Sequence, residues 1–285
     1  MRGSRAEIIN YIADSIRNLY PESECRHIAR MVAASLSGDE ESKFLIEPNQ
    51  IVDIDGIERC AEELSTGRPV QYVIGKAEFC GEEFMVREGV LIPRPETEEL
   101  VMWAMECATG IKNPKILDVC TGSGCIAIAL KKRLGNAYVT AIDLSDKAIE
   151  IATENSSQLN ADVEIIKDDA LKGLQTLQGR KFDIIVSNPP YIPQSEMAAM
   201  HINVTQHEPH MALFVDDADP LIFYREIARA AKKLLSEDGF LLFEIHETLA
   251  TESAEMLSHE GFYNIDIRYD FRQKPRMICC RPNQK

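Results

Sequence analysis

Residues 115–130 read Lys-Ile-Leu-Asp-Val-Cys-Thr-Gly-Ser-Gly-Cys-Ile-Ala-Ile-Ala-Leu: an apolar strand, a two-glycine turn and an apolar helix in direct succession. Glycine takes left-handed backbone freely, so Gly122 and Gly124 let the chain turn sharply. A strand that passes straight into a helix opens a βαβ unit, and the chain beyond keeps that rhythm. Strand-like runs stand at 115–119, 138–142, 163–166, 182–186 and 240–244, and helical runs at 125–134, 146–159, 220–235 and 247–260. The alternation predicts an α/β fold, a parallel sheet with helices on both faces. The last two runs, 263–268 and 276–280, have no helix between them and predict an antiparallel pair at one edge.

The first 75 residues have a different texture. Ile8, Ile9, Ile12, Ile16 and Leu19 recur at helical spacing up to Pro21. Ser23 is placed to cap a second helix that stops before Gly38, and a third is expected over 53–65. No strand pattern shows there, so a small helical bundle is expected, a docking or stabilising module. Glu78-Phe79-Cys80, Gly81 and Phe84-Met85-Val86 then predict a hairpin. Pro93 and Pro95 stiffen the chain after it, and Thr97 is placed to cap the next helix. The expected division is a helical domain over 1–75, a hairpin linker over 76–93 and a larger domain over 94–285.

Charge narrows the partners. The 285 residues carry 31 Lys and Arg against 46 Asp and Glu, a formal net charge of −15. Bare nucleic acid is held through phosphate contacts that need Lys and Arg, so the balance favours a small molecule or a protein, a basic one included. The longest apolar stretches, such as 240–243, cannot cross a bilayer, and no signal-peptide core follows Arg2 and Arg5. A monomer in the cytoplasm, with no membrane partner, is expected. The eight cysteines have no CxxC spacing and no His-rich cluster near them, which favours reduced, mostly buried thiols over disulfides or a metal site. Cys120 and Cys125 flank the glycine turn as a redox pair could, but a buried free thiol is the commoner arrangement.

In open parallel sheets, ligands bind beyond the carboxyl ends of the strands, where the topology switches. The turn Asp118-x-x-Thr121-Gly122-Ser123-Gly124 is neither the Gly-x-Gly-x-x-Gly fingerprint nor a P-loop. Asp118 beside it disfavours a pyrophosphate and favours an amine or other cation. Asp143 closes the next strand, where a carboxylate can bind both hydroxyls of a ribose. Asp169, followed by Ala170, closes the third, where a carboxylate can accept from an adenine amino group. A phosphate-free adenosine with a charged amino-acid tail meets all three demands, and S-adenosyl-L-methionine is that molecule. A nucleotide-binding Rossmann domain, or a fold that has lost its ligand, stays open on these residues alone.

After the fourth strand comes Ser187-Asn188-Pro189-Pro190-Tyr191-Ile192-Pro193. Neither proline of the Pro-Pro pair can donate to a sheet ladder, and each bars its predecessor from helical backbone, so the turn is rigid and extended. Such a corner suits methyl transfer to a planar nitrogen, whose lone pair is delocalised and must be aimed. The Asn188 side-chain oxygen and the Pro189 carbonyl, stiffened by Pro190, can bind the two hydrogens of an NH₂ group. Tyr191 can supply a flat surface beside it. No strong base is required, because the methylated nitrogen sheds its proton easily.

Taken together, "DVCTGSGCIAIAL" and "SNPPYIP" resemble the class I N-methyltransferases that modify planar nitrogens. "GRPVQYVIGKAEFCGEEFMV" at 67–86 and "VLIPRPETEELV" at 90–101 narrow the resemblance to the HemK/PrmC family of release factor glutamine methyltransferases. The resemblance implies a Rossmann-like seven-stranded sheet with a helical N-terminal domain joined by a β-hairpin. It implies S-adenosyl-L-methionine as methyl donor and, as acceptor, the side-chain amide nitrogen (N5) of the Gln in the GGQ motif of class 1 peptide chain release factors. Asn188 and Pro189 would hold that amide with Tyr191 packed beside it. Gly122 and Gly124 would line the methionine end of the cofactor, with Asp143 at the ribose and Asp169 near the adenine. Arg94, Pro95 and Glu96 belong to the inter-domain signature, shaping the substrate channel or locking the linker.

Three positions depart from the family pattern. Cys120 stands where Gly is usual, tolerable if the loop turns at Gly122 instead. Ala170 stands where a bulky aromatic is frequent, which weakens stacking on adenine. Glu244-Ile245-His246-Glu247-Thr248-Leu249 replaces Glu-Ile-Gly-x-x-Gln. An adenine N6 methyltransferase, a methyltransferase of a ribosomal protein glutamine, and a non-catalytic docking protein are the rival readings.

Overall fold

The computed structural model describes residues 1–283. Met1–Lys76 with Met200–His207 form one compact unit, and Ala77–Ala199 with the residues from Glu208 onward form a second.

The first unit is helical, with one small exception. A three-residue strand β1 (Arg2–Ser4) pairs antiparallel with β2 (Ile51–Asp53), which the sequence pattern did not announce. Strands this short carry no alternation to read. Helix α1 (Arg5–Ile16) starts at a Ser4–Glu7 capping box and buries Ile8, Ile9, Ile12 and Ile16; Leu19 lies past its end. Helix α2 (Glu22–Ser37) begins directly after Pro21, so Ser23 sits inside the first turn and is not the cap. Gly38 closes it in left-handed backbone, φ +71°, its N–H bonded to Ala34 O. A single-turn α3 (Lys43–Ile46), then α4 (Ile57–Ser65) and α5 (Val70–Ile74), complete the run; α4 starts four residues later than expected, at Ile57 with Gly56 at the cap position. Arg5 is buried in this unit and paired with Asp39 at 2.9 Å and with Glu47. The segment Met200–His207 adds to the same unit, with His201 stacked on Tyr20 and bonded to Leu19 O.

The second unit opens with the hairpin β3 (Lys76–Phe79) and β4 (Glu82–Met85), followed by α6 (Pro95–Cys107). Alternation then runs β5 (Lys115–Val119), α7 (Cys125–Arg133), β6 (Tyr138–Asp143), α8 (Asp146–Gln158), β7 (Val163–Lys167) and β8 (Phe182–Ser187). A short parallel pair, β9 (Ile192–Pro193) and β10 (Phe214–Val215), brackets an excursion that includes α9 (Ile202–His207). The chain ends with α10 (Ile222–Leu234), β11 (Leu235–Glu244), α11 (Ala250–His259), β12 (Phe262–Tyr269) and β13 (Pro275–Pro282). The seven-stranded sheet has the order β12-β13-β11-β8-β5-β6-β7. Only β13 runs antiparallel to its neighbours, as the missing helix before it requires. Alternate strand residues serve opposite faces. Ile116, Ile184 and Leu242 pack with Leu100, Trp103 and Ile126 on one side; Leu117, Ile185 and Leu241 pack with Tyr224, Ile227 and Leu257 on the other.

Candidate active site

The sheet winds from β5 outward through β6 to β7, then returns to place β8 on the far side of β5. That reversal opens a crevice beyond Val119 and Ser187, which are register partners. Ser187 Oγ donates to Val119 O at 2.6 Å and ties the two strand ends together. The register continues into β11, where Phe243 pairs with Ser187. The glycine loop, the Asn-Pro-Pro-Tyr corner and Glu244 therefore leave three adjacent strands side by side.

The glycine loop is left-handed at three points: Cys120 (φ +62°), Gly122 (φ +57°) and Gly124 (φ +82°). The turn begins at Cys120 itself and does not wait for Gly122. A non-glycine residue in this backbone costs about 1–2 kcal/mol, the physical reason a glycine suits the position. Gly124 serves packing: a Cβ there would come within 3.0 Å of Ile128 and 3.2 Å of Ala152. Gly122 has open space where a Cβ would lie, and its N–H donates to Asp143 Oδ2 at 2.9 Å. Thr121 N–H donates to Ile142 O, fastening the loop to β6.

Each predicted carboxylate has a distinct setting. Asp118 is fully buried behind the loop, its Oδ2 accepting from Thr121 Oγ1 at 2.6 Å and from Ala127 N at 3.2 Å. Its Oδ1 and the neighbouring Ser123 Oγ are buried with no hydrogen-bond partner. Burial pushes the Asp118 carboxyl up to about 7. Asp143 accepts from Gly122 N and from Ser145 N, both at 2.9 Å, and lines the cleft. Burial raises its pKa, and the backbone donors of Ser145 and Gly122 hold it back. Asp169 lines the cleft while its Oδ1 caps the turn at Leu171 N. Ala170 is buried in the same wall; Leu144, Leu171 and Phe223 supply the apolar surface there that Ala170 does not.

Asn188 lines the cleft beside Pro190, whereas Pro189 and Tyr191 are not among its lining residues. The Asn188 Nδ2 donates to Thr97 Oγ1 at 3.2 Å, which leaves Oδ1 as the group free to accept from the cleft. Thr97 Oγ1 donates in turn to Glu244 Oε2 at 2.6 Å, and Tyr191 OH donates to Glu244 Oε1 at 2.9 Å. Thr97 is thus not a helix cap: α6 starts at Pro95, with Arg94 at the cap position and no side-chain cap bond. Arg94 lines the cleft and pairs with the buried Glu208, which also accepts from Ile92 N. Glu96 lies off the cleft and faces Arg272 at 3.6 Å. His246 bonds Thr248 and Glu196 and meets the Tyr191 ring edge-on, its centroid 6.0 Å away.

Residue-type reasoning missed Thr97, Glu244 and Asn155. Glu244 carried a signal, a carboxylate ending an otherwise apolar strand. Asn155, fully buried on α8, accepts from Met85 N at 2.7 Å and donates to Met85 O and Ser123 O, clasping β4 to the glycine loop; nothing in a polar helix sequence flags it.

These walls line one open cleft, mostly apolar with a few convergent polar groups, the setting of a small-molecule site. The family model described as Methyltransferase small domain matches residues 99–210. A crystal structure of a methyltransferase from Pyrococcus furiosus aligns with TM-score 0.54 at 17% identity, covering 80% of this chain and 99% of that one. Sheet order and alignment define the fold as that of a class I methyltransferase. A release factor glutamine methyltransferase of Flavobacterium psychrophilum is 46% identical over 219 residues, 76% of either chain. Another, of Bacteroides thetaiotaomicron, is 37% identical over 277 residues, covering 95% of this chain and 98% of that one. The chain belongs to the release factor glutamine methyltransferase family.

Proposed function

We propose that this enzyme transfers a methyl group from S-adenosyl-L-methionine to the N5 side-chain nitrogen of the GGQ glutamine in class 1 peptide chain release factors. The cofactor fits the residues present. Ser123 Oγ, an orphaned buried oxygen, stands in the cleft lining at the glycine loop where a charged amino-acid tail needs partners, with the unpartnered Asp118 Oδ1 buried behind the loop. Asp143 keeps acceptor capacity beyond its two backbone donors for the ribose hydroxyls, and Asp169 with the apolar side chains of Leu144, Leu171 and Phe223 suits an adenine. When bound, the cofactor supplies an electrophilic methyl group on a sulfonium sulfur.

The protein's own part is aim. A carboxamide nitrogen attacks poorly because its lone pair is delocalised, and orienting it is worth up to about 7–11 kcal/mol. Asn188 Oδ1 and the Pro189 carbonyl bind the two amide hydrogens and turn the lone pair along the line of attack; Pro190 keeps the corner stiff. Tyr191 acts from behind through Glu244. Arg94, held by Glu208 in the cleft lining, borders the path of the protein substrate, and Glu96 faces Arg272 off the cleft. The observation that carries the proposal is the commitment of Asn188 Nδ2 to Thr97. The helical unit docks the release factor outside its GGQ loop, using exposed apolar side chains such as Leu45, Ile46 and Ile51. Eight free cysteines suit a reducing cytoplasm, where we place a monomeric enzyme.

Labelled methyl from the cofactor should appear on purified release factor and vanish when its GGQ glutamine is replaced by alanine. Label persisting on the substituted factor, or appearing on DNA or a ribosomal protein instead, would refute the assignment.

A further inference from the structure

We propose that Glu244 is a positioning residue that fixes the polarity of a hydrogen-bond relay, Glu244–Thr97–Asn188, and so keeps the oxygen of Asn188 turned to the substrate. It rests on the glutamine-methylation proposal and adds the device that orients its key side chain. A threonine hydroxyl has one proton. Glu244 Oε2 takes it at 2.6 Å, so toward Asn188 the Thr97 oxygen can only accept. The Asn188 carboxamide must therefore show its NH₂ to Thr97, as it does at 3.2 Å. The flipped amide would set two acceptors against each other in a buried place.

Everything in the relay depends on residue 244 accepting at both oxygens. The second oxygen accepts from Tyr191 OH at 2.9 Å, so neither is left to reverse its role. Glu244 is 2% exposed, and Thr97 is equally buried although it borders the cleft, which disfavours water as a competing partner. Burial pushes the Glu244 carboxyl up; the hydrogen bonds from Thr97 and Tyr191 and the nearby Arg276 favour the ionised form that the relay requires, and Glu96 opposes it. Burying a carboxylate is costly, and an apolar side chain would hold the end of β11 as well. A fixed acceptor is what the carboxylate adds.

The test is Glu244→Gln, which is nearly isosteric and keeps two hydrogen bonds. Tyr191 already takes a hydrogen bond from Arg276, so its OH keeps donating and holds the Gln oxygen, which leaves the NH₂ to donate to Thr97; the Thr97 proton then turns to Asn188, whose carboxamide flips and offers NH₂ to an NH₂ substrate. The expected result is a fall in kcat of about 10²-fold, the scale seen when one positioned group is lost. Cofactor dissociation constant, KM for release factor and thermal midpoint should stay near those of the parent. Thr97→Val should lose as much, Thr97→Ser should recover most of that loss, and the Glu244→Gln/Thr97→Val double variant should be no slower than Thr97→Val alone. Parental kcat in Glu244→Gln, or additive losses in the double variant, would overturn the relay. If Glu244→Gln does not fold, the Thr97 pair decides: equal kcat in Val and Ser variants overturns it too. Parental enzyme that leaves release factor unmethylated removes the underlying function instead, so the two failures are distinct.

Discussion

At the scale of single residues, the proposed reaction divides its work between the ends of β6 and β8, the two strands that flank β5. Asp143 is fastened by two backbone N–H groups and is assigned to the cofactor in that proposal, whereas Asn188, bonded to Thr97, is assigned to the acceptor. Asp143→Ala should raise the cofactor dissociation constant by at least about tenfold, as expected for loss of a charged hydrogen-bond acceptor, and leave turnover at saturating cofactor largely intact. Equilibrium titration with the cofactor, followed by rates at saturation, checks this. Cys120 makes a second case. Its φ of +62° favours glycine and penalises branching at Cβ. Cys120→Gly should therefore be more stable than Cys120→Val by about 1–2 kcal/mol in urea denaturation, and equal stabilities would show that the loop relaxes.

At the scale of elements, strands and helices of the larger unit were legible because each is long, apolar and punctuated. The strand at 182–186 and the helix at 125–134 come within a residue or so of β8 and α7. The elements missed or misplaced are those with little periodicity to read. Strands β1 and β2 have three residues each, and the sequence suggests a threonine cap for α6 where proline at the first position sets its start. The glycine loop, Asp143 and Asn188 could be read because strand order alone brings strand ends together. Thr97 and Asn155 could not, because their partners lie 147 and 70 residues away in sequence. Asn155 makes this testable: Asn155→Ala should cost about 2–3 kcal/mol of stability through three lost buried hydrogen bonds. It should also weaken cofactor binding, since Ser123 O is released. Unchanged affinity would mean that the loop holds its shape without the clasp.

For the molecule as a whole, folding commits a carboxylate to a dry interior. Asp118 is pushed up to about 7 by burial, from an ordinary value of 3.8. Between those values the folded state holds a proton that the unfolded chain has released, so this carboxyl's contribution to stability falls as pH rises toward about 7 and changes no further above it. The thermal midpoint should drop between about pH 5 and pH 8, and the drop should be smaller in Asp118→Asn, which has no proton to lose. Equal drops in both proteins would place the titrating group elsewhere. The net charge of −15 bears on partners rather than on fold: it suits a protein substrate better than a polyanion, in keeping with a family named for release factors.

The central claim is that Asn188 aims the acceptor nitrogen and does little for the cofactor. Single-turnover methyl transfer to release factor by Asn188→Ala, with the cofactor dissociation constant measured on the same preparation, tests it most directly. The account predicts a transfer rate at least about 10²-fold lower with an unchanged dissociation constant. Cofactor binding lost as severely as in Asp143→Ala, or transfer at the parental rate, would contradict it.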